Sequence, residues 1–147
     1  PPQTVSTGGP FTIAALASLQ AVQSVKVDWQ KYREIVPALP AVFDGLLIFA
    51  PEPMQAENDL HARALFDDPY LSEDPATGAA NGCLAGYLSQ HAYFGSDVVD
   101  CRVEQGYMVG RPSLLLLKAN ADADGQIAVQ VGGRVQMVAR GTLLSEG

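Results

Sequence analysis

Two spacings of apolar residues alternate along this chain and predict a mixed architecture. "TVSTG" (Thr4–Gly8) and "FTIAALAS" (Phe11–Ser18) read as short strands, the second with some helical character. From Leu19 to Val36 the pattern turns helical. Asp28 is a suitable N-cap for "WQKYREIV", in which Trp29, Tyr32, Ile35 and Val36 fall at roughly helical spacing, and Pro37 and Pro40 end the run. "FDGLLIFAPE" and "DLHARALFDD" read as two strands joined by a turn bearing Pro and Glu. In the second, Leu60, Ala62, Ala64 and Phe66 alternate with His61, Arg63 and Leu65, so His61 is expected to point away from the core. An Asp- and Pro-rich loop, "DDPYLSEDPAT", precedes a helix from about Gly78 to Tyr93. Its expected inner stripe is Ala80, Leu84, Tyr87, Leu88 and His91, and Gly95 is its expected stop.

The last third reads as β-rich: "VVDCRVEQGYMVG", "SLLLLKA", "IAVQV" and "RVQMVAR". The expected turns between the last three are "NADADG" and "GG", the second being a two-residue hairpin signal. Two strands, helices, two strands, one long helix and a closing β-meander make an α+β domain. We expect a curved, largely antiparallel sheet around a central helix, with residues 1–147 as a single domain.

Composition narrows the chemistry. With 147 residues, 48% of them hydrophobic, the chain can bury one sizeable core. The net charge of −7 and nine scattered Lys and Arg residues argue against a nucleic-acid partner, and no apolar run approaches membrane-spanning length. Cys83 and Cys101 form no CxxC pair and lie far in sequence from His61 and His91. A zinc site is therefore not expected, and both cysteines read as small core residues in a reducing cytoplasm. The start at Pro1, with neither an initiator Met nor a signal sequence, points to a processed product or a piece of something longer.

The segment carrying the most chemistry is "EDPATGAANG", Glu73–Gly82. Thr77 is a fair N-cap, and Gly78, Ala79 and Ala80 would form a first turn whose N–H groups lack intrahelical partners. Small residues there let a carboxylate or phosphate approach the partly positive helix end. Pro75 restricts Asp74 towards extended geometry. A carboxyl held beside a bound anion gains affinity for a proton, which suits proton transfer. The simpler reading of the same spacing is an ordinary helix start with an acidic lead-in. The segment contains neither a P-loop nor a dinucleotide fingerprint.

"EDPATGAANGCLAGYL" resembles the signature of the PhzF-like (phenazine biosynthesis) family of isomerases. "VSTGGPF", "HARALF", "VEQGYMVGRPS" and "VGGRVQMVARGTL" resemble further family segments in the family's order. The resemblance implies a diaminopimelate-epimerase-like fold of two similar halves, of which this chain is similar to the C-terminal one. It implies that Asp74 is the active-site aspartate. Ala76, Thr77, Gly78 and Ala79 would receive the substrate carboxylate, and Ser6 and Thr7 would line the same cleft. Ala79 stands where the family usually has a serine. That removes a donor, so the family's best-known substrate, a hydroxylated dihydro-anthranilate, is not carried over with the reaction type.

The implied activity is a cofactor-free proton-shift isomerisation or epimerisation of a small carboxylate, with no metal and the general base supplied by an absent N-terminal half. The chain alone is expected to be inactive. The alternative is a non-catalytic binding or assembly module that forms a homodimer in place of that half. Cys83, within the helix, reads as core; His91 as a half-buried residue or one complementing the helix C-terminus, the alternative being a group that titrates near neutrality; and Arg111 as structural or as an anion contact. Trp29, Tyr32 and Tyr87 read as core aromatics, Glu73 as a loop residue, and "DDPYLSED" as a solvated loop or cleft rim.

Overall fold

The computed structural model describes residues 1–35, 45–142 and 144. Its elements are β1 (Gln3–Ser6), β2 (Pro10–Ala15), α1 (Leu19–Ser24), α2 (Trp29–Ile35), β3 (Gly45–Ala50), β4 (Leu60–Phe66), β5 (Glu73–Asp74), α3 (Gly78–Gln90), β6 (Val99–Gln105), β7 (Ser113–Ala121) and β8 (Ile127–Gly133). The strands form one sheet in the order β1-β2-β3-β4-β6-β7-β8, with β5 also on β4. Only β2–β3 and β4–β6 are parallel pairs among the described residues, so the sheet is largely antiparallel, as expected. It curls into a half-barrel around α3, which packs against strands from both of its ends. Among the described residues no helix is long and apolar enough to cross a membrane.

The sheet divides the apolar residues into two layers. Leu47 and Phe49 of β3, Leu60 and Ala62 of β4, and Val99, Cys101 and Val103 of β6 face α3. Leu46, Ile48 and Ala50 face outwards, where α1 and α2 cover them. This explains why "GLLIFA" has no alternation: β3 is buried on both faces. Each fully buried Leu or Phe in these layers contributes on the order of 2 kcal/mol. Trp29 and Tyr32 lie in the outer layer, and the Tyr32 hydroxyl bonds Thr12 at 2.8 Å. Tyr87 packs edge-on against Phe49 in the inner layer.

Several boundaries differ from the sequence pattern. The helical stretch after Leu19 is two helices, because Ser18 caps α1 through Ala21 N–H and Asp28 caps α2 through Lys31 N–H. The expected stop at Pro37 and Pro40 lies outside the described residues. Helix α3 ends at Gln90 rather than near Tyr93, its last turn closed by Tyr93 N–H on the Leu88 carbonyl. It has no single inner stripe: every residue from Ala80 to Ser89 is buried, while His91 is exposed. His91 lies at the C-cap, its ring on Tyr87 and its Nε2 2.7 Å from Gln3 Oε1.

The "GG" hairpin is not formed. Gly132 and Gly133 continue β8, opposite Leu116 and Leu115 of β7, and "RVQMVAR" is outside any strand. The dipeptide permits a turn, but here the ladder with β7 takes up its backbone groups instead.

Candidate active site

The register along β4 sets the geometry of the site. β6 runs parallel to β4 and pairs Val103 with Leu60 and Glu104 with His61. β5 runs antiparallel on the same edge of β4, pairing Asp74 with Ala64 and Glu73 with Leu65. The two strands therefore meet head-on, and the end of one abuts the start of the loop leaving the other. Because side chains alternate across a strand, Asp74 shares the α3 side with Ala64, and Glu73 shares the outer side with Leu65.

That alternation corrects the expectation for Glu73. It is a strand residue whose carboxylate meets Arg63 through Nε at 3.2 Å and Nη2 at 2.8 Å, with the two side chains only 6% and 12% exposed. Arg63 Nη1 also donates to the carbonyls of Val22, Gln23 and Val25, closing the end of α1. Glu73 thus ties the outer layer together and takes no part in the cleft.

On the inner side, Asp74 is held by Thr77. The Thr77 hydroxyl donates to Asp74 Oδ2 at 2.6 Å and accepts from Gln105 Nε2 at 3.0 Å. Thr77 occupies the N-cap position in extended geometry, yet its side chain makes no capping hydrogen bond. The expected cap fails because the hydroxyl oxygen accepts from Gln105 Nε2 instead of a backbone N–H, while its proton goes to the Asp74 carboxylate. Among the described residues no side chain accepts from the N–H groups of Gly78, Ala79 or Ala80, and Gly78 and Ala79 are exposed. A groove of about 940 Å³ opens there, lined by Ala76, Gly78, Ser113, Leu115, Val131 and Arg134. An anion lying in it would meet free N–H donors and the positive end of α3.

Ser6 and Thr7 are exposed; Ser6 ends β1 and Thr7 leads into a Gly-rich bend, where Ser6 Oγ accepts from Gly8 N–H at 3.3 Å. Thr7 reaches α3 one turn further along than Gly78, its hydroxyl 3.7 Å from Cys83 Sγ. Gly82 makes this approach possible, since a Cβ there would lie 3.3 Å from Thr7 Oγ1. Cys83 is fully buried and also contacts the Gly9 carbonyl; Cys101 is buried, and burial followed by nearby Asp59 and Asp100 pushes its thiol up to about 12. Arg111 is exposed and contributes its backbone to the turn after β6, its N–H donating to the Gly106 carbonyl. Among the described residues no group of three His, Cys, Asp or Glu side chains could hold a metal ion.

The end of β6 holds residues that the sequence pattern did not single out. Gln105 is fully buried on the α3 side, and Asn81 donates to its Oε1 at 2.7 Å. Its signal was present: Val99, Cys101, Val103 and Gln105 share one face, and a polar residue ending an apolar row needs partners. On the other face, Glu104 accepts from Met54 N–H, Gln55 N–H, Asn58 and His61 at 2.7, 2.7, 2.8 and 3.0 Å. His61 does lie opposite Leu60 and Ala62, but it is completely buried there, beneath the β3–β4 connection and against Tyr107.

Burial pushes the Glu104 carboxyl up, but hydrogen bonds from Asn58, Met54 N–H, His61 and Gln55 N–H outweigh it and hold the group below its ordinary value. A carboxyl with a lowered folded-state pKa stabilises the fold fully above its ordinary value and progressively loses that contribution as pH falls through the folded value. The urea midpoint of the native chain should therefore fall as the pH drops below the ordinary carboxyl range. In Glu104→Gln this part of the decline should be absent, and parallel profiles would refute the assignment.

Residues 1–141 match the sequence model of the family described as phenazine biosynthesis-like protein. The chain belongs to the phenazine biosynthesis-like family. An uncharacterized isomerase of Mesorhizobium japonicum is 27% identical over 139 residues, covering 94% of this chain and 46% of that protein. An uncharacterized isomerase of Bacillus subtilis is 30% identical over 130 residues, covering 87% and 42%. The trans-2,3-dihydro-3-hydroxyanthranilate isomerase of Pseudomonas chlororaphis is 39% identical over 83 residues, covering 54% and 29%. The chain thus spans less than half the length of these family relatives. Its fold is shared with the crystal structure of a PhzF-family phenazine biosynthesis protein of Bacillus anthracis, at a TM-score of 0.71 and 20% identity over 87% of this chain and 43% of that one.

Proposed function

We propose that this chain is the C-terminal half of a PhzF-like isomerase. In this reading it binds a small carboxylate at the start of α3 and handles a proton through Asp74. The observation that carries the proposal is an α3 N-terminus left without a side-chain cap, opening on a groove, with the Asp74 carboxylate fixed beside it by Thr77. The relatives named isomerases support the reaction class. Moving a proton within a substrate needs a base on the other side of the reacting carbon. We assign that base to a second half, so the chain by itself binds without turning over. The chemistry requires no cofactor: a carboxyl, backbone donors and a base suffice for a proton shift. Ala79 offers only its N–H where a serine would add a hydroxyl.

Anthranilate titrated into the chain should shift the backbone amide resonances of Gly78, Ala79 and Ala80, with a dissociation constant on the order of 1 mM, about 4 kcal/mol of binding. Shifts elsewhere with none at these amides would sink the site. In deuterated water the chain alone should leave a dihydro-anthranilate unexchanged, and exchange would place the base within this half. One feature favours the second reading, self-association: β8 is an edge strand, and Val131 on it and Val135, Met137 and Val138 after it are exposed. Light scattering on the same samples distinguishes the two, because a monomer at micromolar concentration rules out the homodimer.

A further inference from the structure

We infer that Gln105 is a positioning residue that works through Thr77 to lock Asp74 Oδ2 as a hydrogen-bond acceptor, leaving Oδ1 as the oxygen that gives and takes the proton. The inference deepens the proposed function and rests on its reading of Asp74.

Two backbone carbonyls, which can only accept, settle the orientation of both buried amides. Asp74 O lies 2.7 Å from Gln105 Nε2, so the Gln105 side chain must present its NH₂ group there. Thr77 O lies 3.0 Å from Asn81 Nδ2, which fixes the Asn81 amide in the same way. The remaining contacts agree with this assignment: Asn81 gives its second N–H to Gln105 Oε1, and Gln105 gives its second N–H to Thr77 Oγ1. Both amides have then spent both protons. The Thr77 hydroxyl, already an acceptor, has one proton left, and Asp74 Oδ2 at 2.6 Å is its acceptor among the described residues.

Every donor in the row therefore points towards Asp74. Asn81 and Gln105 are both fully buried, so water does not compete for these contacts. The row holds Asp74 Oδ2 in one role whether the carboxyl is ionised or carries its proton on Oδ1. A group so held needs no rotation between accepting a proton and returning it.

The test is the hydroxyl proton of Thr77, observed by NMR on the uniformly ¹³C,¹⁵N-labelled chain without ligand. We expect a slowly exchanging resonance with a through-bond correlation to the Asp74 carboxyl carbon. It should persist in Thr77→Ser. In Gln105→Met, which keeps the volume but donates nothing, hydroxyl exchange should accelerate at least tenfold while the Asp74 and Gly78 amides remain dispersed. If Gln105→Met does not fold, Asn81→Ala gives the second reading, because it frees Gln105 Oε1 and should accelerate the same exchange. A Thr77 hydroxyl correlated to another acceptor, or one whose exchange is unchanged in the variant that folds, overturns the inference. The signal is read without ligand, so its loss and a failure of anthranilate to bind are separate results.

Discussion

Gly106→Ala is expected to lower the unfolding free energy by about 3 kcal/mol and to disturb the Asp74 loop. Gly106 has a φ of 81°, in the left-handed region that side chains avoid. A Cβ there would run into the Arg111 carbonyl and would lie 2.7 Å from the Pro75 carbonyl and 2.8 Å from Pro75 Cβ. This is where the head-on strands touch: the turn leaving β6 lies against the residue following Asp74. Urea denaturation gives the magnitude, and Gly110→Ala is the internal control. Gly110 also has positive φ, at 67°, but has open space around it, so it should lose only about 1 kcal/mol. Equal losses at the two positions would show that backbone strain alone is at work and that packing against Pro75 is unimportant.

Arg63→Met should destabilise the fold by about 3–5 kcal/mol, because it leaves Glu73 buried without its counter-charge. The same change removes the donor that closes α1 at Val22, Gln23 and Val25. Set against a typical total stability of about 5–15 kcal/mol, this removes between about a fifth and all of it. The double variant Arg63→Met with Glu73→Leu should recover most of the loss, since the stranded carboxylate is then gone as well. If the double variant is instead as unstable as the sum of the single ones, the ion pair is not what holds the outer layer to β5.

The sequence pattern reached the helix at Gly78, the strand at Gly45–Ala50 and the approach of Asp74 to the helix start, because each is local, whereas the two-sided burial of β3 came only with the structure. A run of small residues after Thr77 states its environment within a few positions. Glu73 was missed because its burial depends on the register of β5 against β4, and its partner Arg63 sits on a strand that periodicity alone assigns to no particular neighbour. His61 was placed on the correct face but not in its buried setting, since its cover comes from the β3–β4 connection, whose shape carries no period. The Gly132–Gly133 pair misled for the same reason. A dipeptide can state what a backbone is able to do, but its pairing with Leu115 and Leu116 decides what it does. Gln105 was within reach, as a polar residue closing an apolar row, although its link to Thr77 needed coordinates.

Helix α3 is rich in small residues and is covered on every side, partly by segments far away in the chain. Gln3 bonds Gln90, Thr7 lies on Cys83, and a Cβ at Gly86 would lie 3.8 Å from Val5 and 3.9 Å from Val129. Such a helix has no strong apolar face with which to start a core by itself, and its internal glycines weaken it in isolation by about 1 kcal/mol each. Its burial is complete only once β1 and β8 have closed over it from opposite ends of the sheet. That ordering puts the entropy of closing long loops ahead of most of the packing gain, which makes assembly slow and collective. The groove at the start of α3 is therefore among the last features of the molecule to exist, appearing only when the half-barrel has shut.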